Sequence, residues 1–164
     1  MSKPIGKADD SAKEFIINIL DGDKTRGFDV DSIYYSGGRW KIIEFLKCEN
    51  ENVTPHTSDP KYYPWNWKKF YSLYQVAQVM SGDLILVNYS DRDHDKHEVR
   101  IMKVDKFDYD TLRKYVKTNY DDSPDHLEYM TFSEDEKITY DEFKIRFRQM
   151  NADAKLPQKF VGNN

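Results

Sequence analysis

The sequence of 164 residues lacks the features that cross-link a small fold or anchor it in a membrane. Its single cysteine, Cys48, excludes an intramolecular disulfide framework and any multi-thiolate zinc site. No apolar run approaches the roughly 20 residues of a transmembrane helix, and the first ten residues lack the apolar core of a signal peptide. The net charge of −4 disfavours a protein that coats nucleic acid by charge alone. We therefore expect a soluble, cytoplasmic protein with no membrane contact.

Aromatic residues compensate for a low hydrophobic content of 38%. Trp, Tyr and Phe together make up 15% of the chain, and such large rings can build a core that excludes disorder throughout. The length is typical of one domain that buries about two-thirds of its unfolded surface. We predict a single domain over residues 1–154, followed by a polar, flexible tail over residues 155–164.

The pattern of apolar residues predicts an α/β fold with a single mixed sheet flanked by helices. The expected order is α-β-β-α-β-β-α-α, with extra helices at the C-terminus. The predicted helices begin at Ser11, at Trp67 (to Met80), at Asp110 (to Asn119) and after Thr139, and the predicted strands span 28–35, 39–48, 83–90 and 98–105. The loop over 49–66 contains three of the six prolines and is longer than most, which indicates that it is either functional or mobile.

Two carboxylates fall on the first predicted hairpin. Asp31 lies on one strand and Glu44 on the next, with Gly37 and Gly38 supplying the turn between them. Glu44 interrupts the apolar run Ile42–Leu46, where a charge is rare unless it is paired or bound to a metal. One or two protein carboxylates usually suffice to hold Mg²⁺ beside water and phosphate. A structural alternative stays open, because Glu44 could pair with a nearby Arg or Lys and Asp31 could be a solvated acid.

With these residues in place, the sequence resembles the PD-(D/E)xK nuclease superfamily, which has a restriction-endonuclease-like fold. The resemblance covers about residues 11–105 by the order of elements, and its motif lies in GFDVDSIYYSGGRWKIIEFLKCE. It implies Mg²⁺ or Mn²⁺ held by Asp31 and Glu44, with Glu14 of the first helix as a further acid, and hydrolysis of phosphodiester bonds in DNA. Glu14 also has a structural alternative, since it stands three residues after Ser11 in a capping-box spacing.

The lysine of the motif is displaced in this sequence. In the family it follows the acid by two residues and shares its strand face, whereas here Leu46 holds that position and Lys47 follows Glu44 by three. Side chains alternate along a strand, so Lys47 of a regular strand points away from Glu44. A β-bulge would re-aim it. The role of Lys47 as a catalytic residue beside Asp31 and Glu44 depends on such a bulge.

An aromatic and basic segment follows the hairpin, at the end of the long loop and the start of the next helix. Tyr63, Trp65 and Trp67 can stack on bases, while Lys68 and Lys69 can reach phosphates, so these five residues are the predicted substrate-binding set. The alternative is a loop that Trp65 and Trp67 pin to the core.

The leading hypothesis is a Mg²⁺- or Mn²⁺-dependent nuclease with DNA as its partner. The first alternative is a catalytically inactive binding or regulatory module of the same fold, of phage or mobile-element origin. The second is a protein–protein adaptor, and a homodimer or another protein partner stays open. The stretch DRDHDKHE at 91–98 fails as a calcium loop and is predicted to be a solvated turn.

Overall fold

The computed structural model describes residues 11–23, 27–117 and 126–154. In these ranges five strands form one mixed sheet in the order β1-β2-β3-β4-β5, with four helices. The strands are β1 (Ser32–Ser36), β2 (Arg39–Lys47), β3 (Asp83–Tyr89), β4 (Glu98–Phe107) and β5 (Met130–Thr139). The helices are α1 (Ser11–Leu20), α2 (Trp67–Val79), α3 (Tyr109–Lys117) and α4 (Tyr140–Asp153). The predicted α/β class with a single mixed sheet is confirmed.

Both predicted hairpins form. β1 and β2 are antiparallel and joined at Gly37 and Gly38, which have φ values of 63° and 79°. Two consecutive positive φ values are typical of the tight hairpin turn that glycine favours. β3 and β4 are the second antiparallel pair, and β2 and β3 run parallel because α2 connects them across one face of the sheet.

The alternation of β2 divides its side chains between two buried clusters. Ile42 and Leu46 pack in the cluster that contains α2 residues Phe70 and Leu73. Ile43 and Phe45 lie on the other face, in the cluster to which α4 contributes three partly buried side chains, those of Phe143, Phe147 and Met150. Even-numbered residues of β2 therefore face α2, and odd-numbered residues face α4.

Several predicted boundaries are corrected. β1 begins at Ser32 and not at 28, so Asp31 precedes the strand. β5 was not predicted, because between Met130 and Ile138 all but one residue is exposed and no apolar alternation marks a strand. The capping box of Thr139 and Glu142 at α4 is confirmed. The end of the third predicted helix at 118–119, the predicted tail 155–164 and the first ten residues lie outside the described ranges.

Candidate functional site

Glu44 lies in the middle of β2 and is only 3% exposed. As an even-numbered residue of this strand it faces α2. Its Oε2 is buried and has no hydrogen-bond partner among the described residues. Desolvation raises the pKa of Glu44 above its ordinary value, and the negative charges of Asp31 and Asp29 add to this effect. A buried carboxylate oxygen without a hydrogen-bond donor lowers the stability of the fold. Glu44 therefore differs from the apolar residues around it in β2, which carry no such cost.

The cation beside Glu44 is Lys69 of α2. Its Nζ forms an ion pair with Glu44 Oε1, and the Lys69 side chain is 30% exposed. The hydrogen bond from Lys69 partly offsets the rise of the pKa of Glu44. Lys69 was predicted to bind substrate phosphate, and its place at the carboxylate was missed. A signal existed in the sequence, because Lys69 precedes the buried Leu73 by four residues, about one helical turn.

Asp31 reaches the same part of β2 from the hairpin. Its Oδ2 accepts a hydrogen bond from the backbone N–H of Phe45 at 2.7 Å. The carboxylate therefore takes the place of the backbone carbonyl that a longer β1 would offer to this N–H. Asp31 is exposed, and its Oδ1 has no donor within the described ranges. Asp31 and Glu44 are close enough for the charge of Asp31 to act on the pKa of Glu44.

Lys47 does not join this group. β2 pairs with both neighbours without a register shift, so no bulge re-aims the side chain. Lys47 lies on the opposite strand face from Glu44, and its Nζ forms an exposed ion pair with Asp91 at 2.6 Å. Asp91 raises the pKa of Lys47. The expected catalytic role of Lys47 beside Glu44 is therefore corrected, and the nearby lysine is Lys69.

Glu14 is also separate from the carboxylates of the hairpin. It lies in the first turn of α1, a helix with no buried residue. In the described part of the chain no group of three or more His, Cys, Asp or Glu side chains is arranged to hold a metal ion. The predicted trio of Asp31, Glu44 and Glu14 is thus reduced to the pair Asp31 and Glu44.

The long loop is fixed to the sheet by hydrogen bonds to its carbonyl groups. Four side chains from β3, β4 and the segments beside them donate to these oxygens, and three of the four are buried. The donors are Asn88 (to Pro55 and Ser58), Arg92 (to Asn50 and Val53), Arg100 (to Ser58) and Tyr129 (to Pro60). Arg100 is itself held by Asp135 and Asp59. These hydrogen bonds anchor the loop to the sheet between Asn50 and Pro60.

The predicted aromatic set divides between core and solvent. Trp67 is partly buried against the core, with Lys68 Nζ 5.8 Å from the centre of its ring. Trp65 is 58% exposed and meets Tyr63 edge to face at 5.5 Å. Neither tryptophan is fully buried, so the loop is not simply pinned to the core by both.

A cavity of about 480 Å³ opens beside these rings. It lies at the carboxyl ends of the parallel strands β2 and β3, the place where open α/β sheets bind ligands. Its lining includes Leu46, Tyr63, Trp65, Phe70 and Asn88. Leu46 is two residues from Glu44 on the same strand face, about 7 Å along the strand.

The positive charge expected around this segment is largely neutralised. Among the described residues, Lys47 pairs with Asp91 and Lys61 with Glu128 at 2.7 Å, while Lys69 pairs with Glu44. Lys68 is exposed and has no acidic partner in the same ranges. A nucleic acid that binds here would therefore contact Lys68 directly. Each of the other three lysines would first have to break its ion pair with a carboxylate.

Comparisons of the chain with protein-family models, curated proteins and solved structures found no match. No helix within the described ranges is long and apolar enough to cross a membrane.

Proposed function

We propose that the protein is a metal-dependent nuclease that hydrolyses phosphodiester bonds in DNA at the site formed by Glu44, Asp31 and Lys69. The observation that supports this most is the buried Glu44 in the centre of β2, with one oxygen paired to Lys69 and the other without a donor. A carboxylate kept at such a cost in the middle of a strand indicates chemistry at that position.

The chemistry of the two carboxylates supports a hard divalent cation. Asp31 and Glu44 offer carboxylate oxygens, the ligands that Mg²⁺ and Mn²⁺ prefer, and two carboxylates suffice when water and phosphate complete the shell. Desolvation raises the pKa of Glu44 and the charge of Asp31 adds to the rise, and a cation bound beside Glu44 would oppose both effects. When bound, such an ion lowers the pKa of a water and stabilises charge on the phosphate.

The protein's own residues supply positioning and charge. Lys69 Nζ stands at the carboxylate with part of its side chain exposed, where it can hold a phosphate oxygen or orient a water. The loop carries Tyr63 and Trp65, whose rings can stack on the bases of a DNA strand. Trp67 and Lys68 lie at the start of α2. Lys47 lies on the other face of β2 from Glu44 and pairs with Asp91, although it also lines the cavity at the strand ends.

The test is cleavage of supercoiled plasmid by the full chain with Mn²⁺. Glu44→Gln is expected to lower the rate at least 100-fold, as is typical when a group that stabilises transition-state charge is lost. Lys69→Gln should lower it strongly. Lys144→Gln is the control and should cleave like wild type, because Lys144 is exposed on α4, which packs on the other face of the sheet. Cleavage that persists in Glu44→Gln, or a Lys144→Gln loss equal to that of Lys69→Gln, would refute the site.

The inactive binding module is the second candidate, favoured by the Glu44–Lys69 ion pair, which already neutralises the carboxylate. It predicts that wild type binds DNA but does not cleave it with either Mg²⁺ or Mn²⁺. The adaptor hypothesis is compatible with the exposure of Trp65 and predicts neither binding nor cleavage.

A further inference from the structure

We propose that the cavity at the carboxyl ends of β2 and β3 holds a single unpaired nucleobase of the substrate strand. This inference deepens the proposed function and rests on it, since it takes the substrate of the site to be a nucleic acid. It specifies that the preferred strand is single-stranded or locally unpaired.

An exposed aromatic ring lines the cavity. Trp65 is part of the lining, is 58% exposed and follows the anchored part of the loop. A ring that already packs against Tyr63 loses less conformational entropy when a flat ligand stacks on it. Stacking of a base on such a ring contributes about 1–3 kcal/mol.

A buried polar side chain, that of Asn88, also lines the cavity. Asn88 is 1% exposed. Its Nδ2 donates to Pro55 O at 3.2 Å and to Ser58 O at 2.7 Å, which fixes the orientation of the amide. Asn88 Oδ1 has no partner among the described residues. A ligand that reaches this side chain and carries an N–H donor satisfies the oxygen, and the amino or imino edge of a base provides one.

The third argument is the position of the cavity relative to the carboxylate and to positive charge. Phe70 of the lining directly follows Lys69, and Leu46 of the lining stands next to Glu44 on one strand face. The first turn of α2 carries no acidic residue, and Lys68 in this turn has no acidic partner in the described part of the chain. A cation in the first turn opposes the helix dipole, so this turn is suited to a backbone phosphate between the base in the cavity and the phosphate at Glu44.

A base that stays paired has its pairing edge occupied. The cavity is bounded by the two strand ends, the loop and α2, and the almost fully buried Asn88 is part of its lining. Only a base that has left its partner can present its pairing edge to Asn88.

The test measures binding separately from cleavage. The full-length Glu44→Gln variant in EDTA is titrated against fluorescein-labelled DNA of about 12 nucleotides, within the site size of such grooves. The same sequence is presented as a single strand, as a matched duplex, and as a duplex with one central mismatch. We expect the single strand and the mismatch to bind at least tenfold more tightly than the matched duplex, and replacement of both mismatched bases by abasic sites to remove the preference.

Trp65→Ala in the same background should weaken single-strand binding about tenfold. Tyr62→Ala is the matched control, because Tyr62 is a 52% exposed ring of the same loop that turns to His126 and does not line the cavity. Equal affinity for all three DNAs, or an unchanged affinity in Trp65→Ala, overturns the proposal even if wild type cleaves plasmid.

A competition experiment separates a DNA strand from a free nucleotide. If adenosine monophosphate competes as effectively as unlabelled single-stranded DNA, the ligand of the cavity is a free nucleotide and not a base of a strand. Binding that depends on Trp65 without plasmid cleavage would refute the nuclease and retain the cavity.

Discussion

The ion pair between Glu44 and Lys69 predicts an unequal response to removing its two members. In wild type the Glu44 side chain is 3% exposed, and Lys69→Met removes the cation that pairs with it among the described residues. In Glu44→Gln the lysine, which is 30% exposed, can turn to water. Removing one partner of a buried pair costs about 3–5 kcal/mol. Because Lys69 is partly exposed and Glu44 can take up a proton instead, we expect about 2 kcal/mol for Lys69→Met at pH 8.

The cost depends on pH with a definite sign. The folded-state pKa of Glu44 is above its unfolded value, since burial disfavours the charged form. Such a group contributes stability that is present below the unfolded pKa and is lost as the pH rises through the folded pKa. Lys69→Met removes the cation that lowers this pKa, so its loss of stability should grow from pH 4.5 to pH 8. In a chain of this size about 2 kcal/mol corresponds to a fall in Tm of about 4–8 °C.

The assay is urea denaturation at both pH values for the two single variants and the double variant. Glu44→Gln should lie within about 1 kcal/mol of wild type, and adding it to Lys69→Met should restore most of the lost stability at pH 8. Lys47→Met is the matched control, because its exposed pair with Asp91 should have no measurable effect. Wild-type stability of Lys69→Met at pH 8, or a double variant as unstable as Lys69→Met, would refute the reasoning.

Two further predictions concern the metal and the β2–β3 crossover. At a free Mn²⁺ concentration about 100 times the Kd, binding should stabilise wild type by about 2.7 kcal/mol, and the rise in Tm should disappear with EDTA, in Glu44→Gln and in Asp31→Asn. If Mn²⁺ does not change the Tm of wild type, the proposed metal site is refuted. Gly82→Ala should destabilise the fold by about 1–3 kcal/mol, because an added Cβ would stand 2.5 Å from the carbonyl oxygen of Trp40; unchanged urea denaturation would show that the strands can separate there without cost.

The central part of the fold was predictable because its signals are local. The two glycines at 37 and 38 fixed a tight turn, and the apolar face of 67–80 gave a helix that matches α2 to within a residue. β5 was not predictable in this way, since its exposed centre carries Glu134, Asp135 and Glu136. Charged residues of this kind are typical of an edge strand that must avoid pairing with other chains, and they hide the alternation that marks an interior strand.

The site was half predictable for a related reason. Period-two alternation placed Glu44 and Lys47 on opposite faces, and the structure has them there. The same rule implies that a lysine beside Glu44 must come from whatever covers the even-numbered face, and the following helix carries Lys69 one turn before Leu73. The sequence could not predict the anchoring of the loop, because backbone carbonyl acceptors have no side-chain signature and their donors, such as Arg100, lie at least 30 residues away.

The way Glu44 is held separates a structural role from a functional one. A fold that needed only stability at this position would do better with a side chain that leaves no buried oxygen unpaired, because well-packed apolar replacements of buried ion pairs are often neutral or stabilising. Glu44 instead keeps one oxygen without a donor and a lysine that remains partly exposed. A Glu44→Gln protein that is as stable as wild type but inactive on DNA would mean that the carboxylate is retained for chemistry at the expense of stability. A Glu44→Gln protein that is much less stable would make the ion pair structural, and the binding module would then be the better account of this site.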